Sequence, residues 1–171
     1  NNLGNYLSVP YFYVISDNKD LTFTPRFYDK QKTIYQTEYR QANKNSDHIF
    51  DFSIENKSRL IQTGKTQGTH FFAKSNFDTN LNFFENSKVD FNIQQVSEDN
   101  YLKSNKLKSP LITNETVLNS KFEFQGNNKD LDLNISTEVY EDLAKETSDR
   151  YEYIFPSYSL TKYLESSLEG E

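Results

Sequence analysis

The sequence predicts an all-β fold, an antiparallel up-and-down meander of about nine strands. Three observations predict it. Apolar and polar residues alternate along segments of about ten residues, separated by clusters of Asp, Asn, Ser and Gly. Aromatic residues make up 15% of the 171 residues, with 14 Phe and 12 Tyr, whereas only 35% of the chain is hydrophobic. Aromatics at that level argue against disorder, and the mean hydropathy of −0.84 argues against a conventional packed core. The combination suits sheets with one apolar and one wet face. Finally, no run approaches the roughly 20 apolar residues of a membrane helix.

The first segment, Tyr6 to Ile15, is apolar on both faces (Leu7, Val9, Tyr11 and Tyr13 against Phe12 and Val14), so its inward face is not readable. Ser16-Asp17-Asn18 supplies turn chemistry. The second, Leu21 to Tyr28, alternates cleanly, with Leu21, Phe23, Pro25 and Phe27 opposite Thr22, Thr24, Arg26 and Tyr28. Pro10 and Pro25 have no amide hydrogen for a ladder, which puts each at an edge or a bulge. The third segment, Thr33 to Gln41, sets Tyr35, Thr37 and Tyr39 against Gln36, Glu38 and Arg40. The fourth sets His48, Phe50, Phe52 and Ile54 against Asp51, Ser53 and Glu55; it extends toward Ile61, and the GKTQG turn follows. The fifth, Thr69 to Phe77, sets Phe71, Ala73 and Phe77 against His70, Lys74 and Asn76.

A polar loop over 78–87 leads to the sixth segment, Lys88 to Val96. Residues 97–115, which include Pro110, form the longest irregular stretch. The seventh and eighth segments, Thr116 to Gln125 and Leu131 to Tyr140, flank the Gly126-Asn127-Asn128 turn. Residues 141–150 read as a loop or one helical turn. A last extended segment, Tyr151 to Leu164, contains Pro156.

Two architectures satisfy this pattern. One is a partial transmembrane β-barrel, not closed, with a lipid-facing aromatic wall and a charged interior. The other is a soluble β-sandwich that binds a glycan or a protein partner. In the barrel, Arg26, Glu38, Arg40, Asp51, Glu55 and Lys74 face the lumen, where salt-bridged hydration explains them better than ligand contacts.

Little else points to chemistry. The net charge of −6 disfavours nucleic acid as a partner. The chain has no Cys, so no disulfide framework or thiolate site is available. His48 and His70 lie in aromatic strands without a Gly-framed serine, and read as wall residues rather than catalysts. Asp17-Asn18-Lys19-Asp20 lacks the Gly and distal Glu of a calcium loop. The expectation is therefore no enzyme, no metal and no cofactor. The chain starts without Met or an apolar signal core and reads as a piece of a longer protein.

Ser8-Val9-Pro10-Tyr11-Phe12 and Phe23-Thr24-Pro25-Arg26-Phe27 resemble the first two barrel strands of the LptD family of LPS-assembly outer-membrane proteins. Glu38-Tyr39-Arg40 resembles the end of that family's third strand, and Val96-Ser97-Glu98-Asp99-Asn100-Tyr101 a later V-S-D-x-x-Y stretch. Tyr153 to Leu160 resembles a later proline-bearing segment. The family's upstream jelly-roll domain, later strands and cysteines are absent from this chain. The resemblance implies that residues 1–171 are the N-terminal segment of an outer-membrane barrel domain that cannot close alone. It implies a Gram-negative outer-membrane location and delivery of lipopolysaccharide to the outer leaflet. Its partners would be lipopolysaccharide, outer-membrane lipid, a plug lipoprotein and the periplasmic bridge proteins. It also implies a lateral gate at the first strands, weakened by Pro10 and Pro25.

Overall fold

The computed structural model describes residues 5–29, 32–57, 67–146 and 148–164. The expected extension of the fourth segment to Ile61 and most of the turn over 64–68 lie outside these. Ten strands form one antiparallel sheet. β1 (Tyr6–Ser8) and β2 (Tyr11–Ser16) are two parts of one edge strand, and both pair with β3 (Lys19–Tyr28). The sheet continues in chain order through β4 (Lys32–Asn43), β5 (Ser46–Lys57), β6 (Thr69–Asp78), β7 (Asn86–Val96), β8 (Val117–Asn127) and β9 (Leu131–Asp142). β10 (Tyr151–Lys162) forms the other edge, with a bulge between Ile154 and Ser157, where Pro156 sits. Among the described residues β10 does not pair with β1 or β2, so the sheet is an open meander. Among the described residues all ten strands belong to this one sheet, as in a barrel wall, and none forms a second sheet over its apolar face.

Cross-strand neighbours point to the same side of a sheet, so the register assigns every side chain a face. One row runs Phe23, Thr37, Phe52, Phe71, and the next on that side runs Leu21, Tyr39, Phe50, Ala73, Ile93. On the opposite side a row runs Asp20, Arg40, Ile49, Lys74, Asn92, Lys121, Glu138. The apolar side is open: Phe52 is 45% exposed, Phe71 44% and Phe91 41%. Exposure at that level over a wall of aromatic and aliphatic side chains is what an apolar interaction surface shows.

The turn between β2 and β3 follows its composition. Ser16 Oγ donates to Asn18 Oδ1 (2.9 Å), and Asn18 Nδ2 reaches Ala42 O (3.0 Å), tying this turn to the next one along the same rim.

The expected irregular stretch after β7 is the main departure. It contains a short helix, α1 (Tyr101–Asn105), and folds back over the polar side of β3–β6. Lys106 takes a left-handed conformation (φ 49°) that ends the helix and lets Leu107 N donate to Leu102 O (3.0 Å). Tyr101, Leu102 and Leu107 then join Tyr28, Ile34, Phe72, Leu118 and Leu143 in the buried cluster. The core is therefore built mainly where this segment covers the polar side of the sheet. Among the described residues after β9, 143–146 and 148–150 contain turns and bends and no helix, and Leu143 is their contribution to the cluster.

Gly68 marks how close the segment sits. A Cβ there would meet the Tyr101 ring and would lie 2.5 Å from Glu55 Oε2. Gly68→Ala is expected to cost about 1–3 kcal/mol, as overpacking does, read as a fall in the denaturant midpoint at unchanged m.

Candidate functional site

The first seam lies between the edge strand and β3. Its register runs without a slip from Tyr6↔Tyr28 to Val14↔Asp20, so Val9 faces Pro25 and Pro10 faces Thr24. Val9 N donates to Pro25 O (3.2 Å). In an antiparallel ladder the N–H and C=O of one residue point to the same neighbour, and those of the next residue to the other. Pro25 therefore withholds the reciprocal bond to Val9 within this seam. Pro10 withholds a donor from the free edge. The expectation that both prolines sit at edges or bulges holds for Pro10 alone. Pro25 stands in a strand paired on both sides, and is tolerated because only the bond to the interrupted edge strand is lost.

The six charged candidates share one face, by register. Arg26, Asp51 and Glu55 lie under the folded-back segment, at 8%, 0% and 1% exposure. Glu38 and Arg40 lie toward the opposite rim with Asp20. Arg40 Nε is 2.8 Å from Asp20 Oδ1 and 3.6 Å from Glu38 Oε1. Lys74 is exposed and lines a cavity of about 470 Å³ with Asn76, Asn92 and Lys121, next to Pro110 and Leu111 of the segment. The six are thus two groups, one sealed and one open.

The sealed group is a network of hydrogen bonds and charge contacts in three clusters. Arg26 Nη1 donates to Lys106 O (3.0 Å) and Nη2 to Gln36 Oε1 (3.2 Å). Gln36 Nε2 lies 3.1 Å from both Asp51 oxygens and 2.9 Å from Lys108 O. His70 Nε2 lies 3.3 Å from Asp51 Oδ1, and Ser53 Oγ bonds both His70 Nδ1 (2.7 Å) and the Tyr101 hydroxyl (2.8 Å). Lys32 Nζ bridges Glu55 Oε1 (2.5 Å) and Asn105 Oδ1 (2.6 Å). Burial pushes the Tyr101 phenol well above its usual range, against the opposing effect of the Ser53 bond. At the segment's start, Arg150 Nη2 holds Asp99 at 2.7 Å and its Nε holds Glu141 at 2.7 Å.

Ser53, His70 and Asp51 stand in the order of a nucleophilic triad, but Ser53 is 1% exposed and its Oγ is capped by Tyr101. In this conformation a substrate carbonyl has no approach to it. The network instead fastens the segment to the sheet. Gln36, Ser53, Tyr28, Lys32 and Tyr101 were not singled out by sequence. The one signal available was aliphatic and aromatic residues concentrated in a stretch otherwise read as loop: Tyr101, Leu102, Leu107, Leu111 and Ile112.

No protein-family model matches the chain. Among curated proteins it is similar to the LPS-assembly protein LptD of Legionella pneumophila strains Lens, Paris and Philadelphia 1, 25% identical over 125 residues in each case. The match covers 67% of this chain, and the chain spans about 15% of the length of these relatives. The chain is thus an all-β meander with an LptD-like sequence.

Proposed function

We propose that the chain is the N-terminal segment of an outer-membrane β-barrel domain that delivers lipopolysaccharide to the outer leaflet. The observation that carries this reading is the sidedness of the sheet. An open aromatic wall faces one way, and charged and amide side chains face the other, as a lipid-facing barrel with a wet lumen requires. The similarity to LptD supports the cargo and a Gram-negative outer-membrane location. Its partners would be lipopolysaccharide, outer-membrane lipid, a plug lipoprotein and periplasmic bridge proteins. Arg26, Glu38, Arg40, Asp51, Glu55 and Lys74 would face the lumen, and no step of covalent chemistry is required of them.

The gate would lie at the first strand. Pro25 leaves the first seam one bond short on its inner side, and Pro10 leaves the free edge one donor short where a closing strand would pair. Each missing bond is worth about 1 kcal/mol net. Restoring both with Pro10→Ala and Pro25→Ala in the whole protein is expected to slow the appearance of lipopolysaccharide at the cell surface. Delivery at the unaltered rate would remove the gate from this reading.

A further inference from the structure

β3 carries two side chains that hold the folded-back segment and the first strand at the same time. Arg26 donates to Lys106 O (3.0 Å), and its Cζ lies 5.8 Å from the centre of the Tyr6 ring. Tyr28 donates to Asn105 O (3.0 Å), and its ring centre lies 5.1 Å from that of Tyr6. Tyr6 opens β1, a strand of only three residues next to the bond that Pro25 withholds. The ladder at this end is one bond short, and Tyr6 is held by Arg26 and Tyr28 beside the neighbouring Asn5–Asp29 pair, in which Asp29 N donates to Asn5 O (3.3 Å) and Asn5 N to Asp29 Oδ2 (3.1 Å). Both are buried only because the segment covers them, with Leu107 (1% exposed) as its apolar anchor.

We infer that the segment over 97–113 is a latch on the first seam. Docked, it fixes Arg26 and Tyr28 in the positions that clamp Tyr6, by cation–π attraction and ring contact. Withdrawn, it frees both side chains, and the start of β1 loosens from β3. The switch is thus a segment distant in sequence that reaches β1 through Arg26 of β3, 80 residues before Lys106. This inference rests on the gate reading above for its purpose, but not for its geometry.

The test is amide hydrogen exchange on the whole protein in lipid. Leu107→Asp puts a charge into the buried cluster and undocks the segment. Exchange at Leu7 and Val9, whose amides face β3, is expected to rise about fivefold or more, the equivalent of one lost net interaction. Exchange at Phe52 in β5 is expected to stay unchanged. Should every strand exchange faster, the variant has lost its fold and Arg26→Lys decides. Lysine keeps the charge but lacks the fork that serves Lys106 O, Gln36 and Tyr6 together. A rise confined to Leu7 and Val9 in either variant supports the latch, and unchanged exchange there in both overturns it. Lipopolysaccharide delivery is scored separately in the same variants. Faster local exchange with unaltered delivery keeps the latch and overturns the gate reading instead.

Discussion

Phe52→Arg is expected to destabilise the whole protein in lipid by about 2–4 kcal/mol, the cost of a cationic side chain near the middle of a lipid-facing barrel wall. Phe52 lies mid-strand in β5, between Thr37 and Phe71 in the apolar row, and is 45% exposed in the isolated sheet. The prediction discriminates because the same change on a water-facing surface is worth no more than about 0.5 kcal/mol. Partial burial by neighbouring rings cannot supply the difference, since nearly half of the side chain meets only its surroundings. Lys74→Ala, on the opposite face, serves as the reference and should shift stability by no more than about 0.5 kcal/mol. Reversible denaturant unfolding in lipid vesicles measures both. Equal and small effects would mean that the aromatic wall faces water or protein rather than lipid.

The sidedness behind that prediction was legible because period-two alternation is a local property. In β3, Leu21, Phe23 and Phe27 against Thr22, Thr24 and Arg26 need no knowledge of the rest of the chain. The six charged candidates fall on one face for the same reason. Where both faces are apolar, as at Phe12, Tyr13 and Val14, alternation is silent, and only the register with β3 assigns Phe12 and Val14 to the polar side. The direction of each missing proline bond was equally hidden, since it depends on which neighbour Val9 bonds. The sealed network was not legible at all. Gln36 and Ser53 look like any polar lumen residues until Lys108 and Tyr101 arrive over them from a distant segment. Burial there is a long-range fact, and composition records no long-range contact.

Asp51→Ala tests that network at its centre and is expected to cost about 2–5 kcal/mol. Asp51 is fully buried, receives Gln36 Nε2 on both oxygens and lies beside His70 Nε2. Removing the carboxylate leaves one Gln36 N–H without an acceptor, the other staying on Lys108 O, and takes the negative charge from beside His70 Nε2. Each buried donor left unmade costs about 1–3 kcal/mol, which adds to the volume lost. Asp51→Asn keeps the shape but turns an amide N–H toward one of those donors, so a smaller loss is expected from it. The informative variant is the double change Asp51→Ala with His70→Phe. Replacing the ring by an apolar one removes the polar nitrogen that faces the vacated carboxylate site, so the pair should cost less than the sum of the single changes. His70→Phe also takes from Ser53 its ring partner and leaves only the Tyr101 hydroxyl, so the segment should stay docked more weakly. Unfolding free energies give the coupling, and protease cleavage within 97–113 reports the docking. Strict additivity of the two changes would show that Asp51 and His70 do not act together.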